Sequence, residues 1–248
     1  MISDGGLVLY AIVSLVMSIF SSIAGGGSGF IITPLLIFLG LTPAQAIASG
    51  KFMGLSITLG NLRVTRKQKL HDWRVIMPLL IIAAVIGLTA PHLITKIEGD
   101  VYRKVIGILI LFMIPVMYYK KLGRTSYKAS PRRRSVGYVF VTAAIFMQSV
   151  FGSGMGMLVN LALVSFMGMN HLEATITKRF VQLLTSTLIV GSLLFSGLMV
   201  WKLIIVGVVF NFIGGTVGAH LAIKKGNVFV LNVLIVLMLL SGIALLAG

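Results

Sequence analysis

Ten apolar segments run through the chain, at 7–24, 30–40, 44–62, 75–95, 101–119, 136–151, 155–168, 172–196, 203–223 and 227–247. The longest polar stretches between them, 63–74 and 120–135, are loops rather than domains. A bilayer crossing takes about 20 apolar residues in a helix. Backbone groups in lipid must be satisfied within the helix or a closed barrel. The pattern therefore predicts an all-α polytopic membrane protein whose surroundings are the lipid bilayer. Charged residues make up 10% of the chain, against about 25% in a soluble domain. Segments 30–40 and 155–168 are short for a crossing, and each follows a glycine cluster. They read as tilted short helices or as the return arms of re-entrant hairpins.

The chain repeats itself at a spacing of 128. Trp73 and Trp201 keep it, as do His92 and His220, Lys51-Phe52 and Arg179-Phe180, and "GLTPAQA" at 40–46 against "GMNHLEA" at 168–174. Gly27-Ser28-Gly29 matches Gly152-Ser153-Gly154 with a three-residue slip. Two homologous halves follow, 1–119 and 136–248, joined by the basic linker 120–135. Each half holds three long helices and one glycine-broken short pair. The pair either crosses twice or enters and returns, so each half crosses an odd number of times and the halves are expected to be an inverted repeat. The rival replaces each broken pair by one continuous span and makes the halves parallel.

The net charge is +16, but most of the cations sit in short loops, which points to membrane orientation and away from nucleic acid. Loop 63–74 holds five Lys or Arg, the linker seven, and Lys224 and Lys225 two more, against four on the opposite side. By the positive-inside rule the linker is cytoplasmic and both termini lie outside a bacterial-type inner membrane. The start, "MISDGG", lacks the basic stretch of a cleaved signal, so none is expected. The absence of cysteine excludes disulfides and thiolate metal sites. No metal or other cofactor is expected, and a homo-oligomer stays open.

Inverted repeats with helices interrupted at matching places are the mark of secondary transporters. An interrupted helix presents a helix N-terminus, which carries about half a positive charge and suits an anion. Gly27, Ser28, Gly29 and Thr33 at the first break, with Gly152, Ser153, Gly154 and Asn160 at the second, are the candidate substrate contacts. The competing reading of the glycines is close helix packing.

Apart from Arg103 and Lys104 at the start of segment 101–119, three of the 21 cations fall inside apolar segments: Lys51, Lys178 and Arg179. Lys51 and its repeat mate Arg179 lie mid-segment, where an unpaired charge costs about 2.5–3.5 kcal/mol on insertion scales. No carboxylate is placed to meet them, so a small anionic substrate is the expected partner, with Gln182 sharing the Arg179 site. Snorkelling or backbone carbonyls would also serve. Lys178 points to another face and is free to snorkel. His71 and His171 read as loop residues. His92 and His220, near segment ends, are candidates for a proton relay. "GGSG" also fits the nucleophile motif of an intramembrane serine hydrolase. Such an enzyme needs one Ser–His pair, whereas here Ser28, Ser153 and both histidines are duplicated, as in scaffold. No enzymatic activity is expected.

The stretches "AGGGSGFIITPLLIFLGLTPAQAIASGKF", "HDWR", "FGSGMGMLVNLALVSFMGMNHLEATITKRF" and "GGTVGAHLAIKKG" resemble the TauE/SafE sulfite-exporter family of membrane transporters over nearly the whole chain. The resemblance implies movement of sulfur-containing anions such as sulfite, sulfoacetate and related organosulfonates. It also implies that the glycine motifs, Lys51 and Arg179 line the path. The chain departs from the family pattern in carrying Ser49-Gly50 before the first cation and Gln182 after the second.

Overall fold

The computed structural model describes residues 4–26, 28–66, 68, 72–94, 125–152 and 155–247. The predicted segment 101–119, linker residues 120–124, Gly27, His71, Ser153 and Gly154 lie outside the described residues. Every described element is helical: α1 (Asp4–Ala24), α2 (Gly29–Phe38), α3 (Pro43–Thr65), α4 (Trp73–Thr89), α5 (Pro91–Ile94), α6 (Pro131–Phe151), α7 (Gly156–Ala162), α8 (His171–Leu193) and α9 (Trp201–Ala247). A π-helical turn, Leu163–Met167, continues α7. The two segments predicted at 203–223 and 227–247 are joined in α9, which changes direction at Gly226 (φ 76°, ψ −172°).

Local chemistry sets the helix starts. At α3, Thr42 accepts from the Gln45 amide at 3.3 Å while the Gln45 side chain accepts from the Thr42 amide at 3.0 Å, with Pro43 in the first turn. At α8, Asn170 and Glu173 form the same reciprocal box, both bonds at 2.9 Å. Such boxes satisfy amide groups that have no acceptor in their own helix. The two boxes stand one repeat apart, at 42/45 and 170/173. Ser130 with Pro131 starts α6, and Asp72 starts α4.

Three helices among the described residues are long and apolar enough to cross a membrane: Asp4–Ala24, Pro131–Phe151 and Trp201–Val233. At about 1.5 Å per residue each exceeds the hydrocarbon thickness of about 30 Å. Their outer faces are apolar at helical spacing, with Val8, Ile12, Val16 and Phe20 exposed on α1 and Ile205, Val209, Ile213 and Val217 on α9. The 23-residue helices α3 and α8 are as long but too polar to count as spans by composition. They lie inside, and most of the buried polar side chains belong to them. Polar groups turn inward and apolar groups outward because lipid offers no hydrogen bonds.

Helices cross between the halves. The Phe52 ring of α3 meets Trp201 of α9 at 5.8 Å, and Phe180 of α8 meets Trp73 of α4 at 5.4 Å. Each residue of the first pair stands one repeat from its counterpart in the second. The α9 backbone approaches its neighbours at small residues. A methyl group on Gly215 would stand 3.0 Å from the Ile57 Cα, and one on Gly218 would stand 2.7 Å from the Ser22 Cβ. Van der Waals packing through small residues is the main attraction available between helices in lipid.

Candidate anion site at the broken helices

The first break follows Ala24. Gly25 (φ 77°) and Gly26 (φ 156°) take backbone angles that L-residues with a Cβ avoid. The second follows Phe151, where Gly152 has φ 100°. The two breaks touch. A methyl group on Gly26 would stand 2.9 Å from the Gly156 carbonyl carbon and 3.0 Å from the Met157 nitrogen. One on Gly25 would stand 2.7 Å from Thr175 Oγ1 and 2.8 Å from Asn160 Nδ2. These two glycines are required by the crossing of the breaks. Asn160 Nδ2 donates to the Ala24 carbonyl at 3.1 Å and to Thr175 Oγ1 at 3.0 Å. It therefore holds the C-terminal end of α1 against α7 and α8.

The buried cations have protein partners in the form of backbone carbonyls. Lys51 Nζ donates to the Gln148 carbonyl near the end of α6, at 2.5 Å. Arg179 donates through NH2 to the Ser21 carbonyl near the end of α1, at 2.9 Å, and through NH1 to Gln182 Oε1 at 3.3 Å. Lys51 and Arg179 thus each bind the last turn of the broken helix in the opposite half, where the helix dipole presents about half a negative charge. Lys178 does not snorkel. It is 1% exposed and donates to the Gly156 carbonyl at 3.3 Å. It is held inside because α7 lies directly over it.

Two cavities flank this centre. The first, about 240 Å³, is lined by Lys51, Gln148, Ser149, Lys178, Gln182 and Ser186, among others. The second, about 270 Å³, is lined by Ser28, Gly29, Thr33, Gly50, Gly54 and Asn211, among others. Both volumes include space open to solvent, and the enclosed part of each has room for about one water molecule in this conformation. A shift of 128 relates four of their lining positions: Gly50 to Lys178, Met53 to Val181, Gly54 to Gln182 and Ile57 to Thr185. The first cavity carries two cations and no carboxylate among its described lining residues, whereas the second carries no charge.

The candidates from the sequence are thereby distributed. Lys51 and Gln182 line the first cavity, and Ser28, Gly29 and Thr33 line the second. Asn160, Arg179 and Gly152 build the crossing and line neither. Gly27, Ser153 and Gly154 lie outside the described residues. His92 on α5 and His220 on α9 are exposed and line neither cavity; His220 Nδ1 lies 2.9 Å from the Thr216 carbonyl of its own helix. His171, read from the sequence as a loop residue, is the fully buried first residue of α8. Sequence reasoning missed Gln148, Ser149, Asn211 and the inward position of Lys178. The signal available for Lys178 was its place beside Arg179 within an apolar segment.

The model of the family described as "Sulfite exporter TauE/SafE" matches residues 10–245. A "Probable membrane transporter protein ORF9" from Sinorhizobium sp is 28% identical over 95% of this chain and 90% of its own length. A "Probable membrane transporter protein" from Haemophilus influenzae is 26% identical over 94% of this chain and 93% of its own. "Probable membrane transporter protein YfcA" from Escherichia coli is 29% identical over 87% of this chain and 80% of its own.

Proposed function

The chain belongs to the TauE/SafE sulfite-exporter family of multi-pass membrane transporters, and we propose that it is a secondary transporter that exports small anions, sulfur oxyanions or organosulfonates of the sulfite and sulfoacetate type. The observation that carries this reading is the first cavity, where Lys51 and Lys178 are buried with no carboxylate among the described lining residues. The carbonyls of Gln148 and Gly156 orient the two side-chain amines, and neither carbonyl brings a formal counter-charge. An anion would supply the missing charge. Hydroxyls of Ser149 and Ser186 and the Gln182 amide would add directional donors.

The reciprocal contacts between the halves fit a two-fold relation, and the distribution of Lys and Arg over the loops favours its inverted form, with 1–119 and 136–248 as the two moving bodies and 120–135 as a cytoplasmic linker. Both termini then face outward from an inner membrane. A negative interior drives anions outward by about 2.3 kcal/mol per charge per 100 mV, so export needs no proton relay. The intramembrane hydrolase reading has no such support, because the family and the relatives are transporters.

The experiment is sulfite and sulfoacetate flux in proteoliposomes under a potassium-valinomycin potential at equal pH. Wild-type flux should follow the potential. Lys51→Met and Lys178→Met, each losing a charge-assisted contact, should lower it about ten- to hundredfold. Undiminished flux in both variants would remove the cationic cavity as the substrate site. Flux that ignores potential but follows an imposed pH gradient, and loses that response in His92→Gln or His220→Gln, would establish proton coupling instead.

A further inference from the structure

The second cavity is a site without an assigned ligand. Asn211, on α9, is fully buried and lines it, yet neither amide atom has a hydrogen-bond partner. A buried amide in that condition is rare in folded proteins and calls for an occupant. The cavity also receives the start of α2, a helix of ten residues. Ser28 makes no side-chain cap bond there. The first amide groups of a helix have no acceptor within it. Two hydroxyls, Ser28 and Thr33, complete the lining polar groups, both nearly inaccessible from outside.

We propose that this cavity is a second anion station built from uncharged donors: the α2 N-terminus, the Ser28 and Thr33 hydroxyls and the Asn211 amide. It rests on the reading of the chain as an anion carrier. The sign of the ligand follows from the helix end, which is positive, and from the absence of any carboxylate among the described lining residues. Space is provided by the repeat itself. Where the first cavity has Lys178 and Gln182, this one has Gly50 and Gly54. A methyl group on Gly50 would meet nothing within 4 Å. Asn211 is particular to this station, since the residue one repeat earlier is Ala83. The stations stand back to back: a methyl group on Gly54 would lie 4.0 Å from Gln182 Nε2, which lines the first cavity. An anion thus has a charged station and a neutral one on either side of the Gly54–Gln182 contact. The neutral station would bind more weakly and release more readily.

The test is equilibrium binding of sulfite and of sulfoacetate to the purified full-length chain in detergent, read as stoichiometry and affinity. Wild type should bind two equivalents. Asn211→Leu should lose one, or weaken it about tenfold or more, and keep the other. Asn211→Asp, nearly isosteric and therefore a guard against misfolding, should do the same, because a carboxylate repels an anion. Lys178→Met should lose the complementary equivalent. Two wild-type equivalents in both Asn211 variants would overturn the station. So would a single equivalent that survives in both, which leaves the cationic cavity standing. A single equivalent lost in the Asn211 variants but kept in Lys178→Met upholds the station and removes the cationic cavity. Sodium binding that strengthens in Asn211→Asp, with no change for the anions, would make the site a cation site and overturn the proposal. No binding of either anion by wild type overturns it as well.

Discussion

Arg179 on α8 donates to the carbonyl of Ser21 on α1 at 2.9 Å, across 158 residues of chain. Ser21 stands in the last turn before the first break, and its carbonyl also accepts from the Gly26 amide at 2.9 Å. The guanidinium is therefore the tie that holds a helix of one half to the breaking point of the other. Lys51 does the reciprocal work on Gln148, whose carbonyl also accepts from the Gly152 amide at 3.1 Å.

Arg179 is accordingly expected to matter for stability before it matters for substrate. A hydrogen bond to a charged group contributes about 1.5–3 kcal/mol, and a planar fork that serves two acceptors is not replaced by an ammonium. Arg179→Ala should lower the thermal unfolding midpoint of the detergent-solubilised protein markedly, and Arg179→Lys should lower it less. An unchanged midpoint in Arg179→Ala would show that the tie contributes nothing.

Two glycines in the same region should respond oppositely to alanine. Gly26→Ala places a Cβ about 3 Å from backbone atoms of Gly156 and Met157, at a φ of 156°. Backbone cannot yield as a flexible side chain does, and overpacking costs about 1–3 kcal/mol in addition to the strain of the angle. Gly50→Ala meets open space. Size-exclusion profiles after extraction should show Gly26→Ala aggregated or depleted and Gly50→Ala resembling wild type. A monodisperse Gly26→Ala at wild-type yield would contradict the close crossing of the breaks.

Topology can be read with single cysteines, because the chain has none of its own. Gly5, Lys128 and Lys224 are exposed and suit the purpose. In intact cells, an impermeant maleimide should label Gly5→Cys and spare Lys128→Cys and Lys224→Cys until the membrane is opened. Labelling of Lys224→Cys in intact cells, with Lys128→Cys still protected, is the signature of parallel halves.

Much of this molecule is written locally. The helix starts of α3 and α8 follow from Thr42, Gln45, Asn170 and Glu173, four residues whose partners are three positions away. The breaks follow from glycine clusters, and the membrane class follows from hydropathy over windows the length of one helix. Lys51 and Arg179 were identifiable as buried because no loop was near enough in sequence to receive them. The 128-residue repeat even announced which residues would play matching parts, and Phe52 with Trp201 and Phe180 with Trp73 then do.

The partners were not legible in this way. Gln148 lies 97 residues from Lys51, Ser21 lies 158 from Arg179, and Ala24 lies 136 from Asn160. No periodicity reaches that far, because hydropathy records only that a position avoids lipid and never what it meets inside. Hence Lys178 read as a snorkelling residue until α7 was seen to cover it, and Asn211 did not stand out in an apolar segment. By itself the sequence determined the helices, their interruptions, the bilayer and the presence of buried charge. Only the tertiary structure decided that the two interruptions touch, that Lys51 and Arg179 each serve the opposite half, and that the polar groups divide between a charged cavity and a neutral one, since those outcomes depend on how helices distant in the chain pack together.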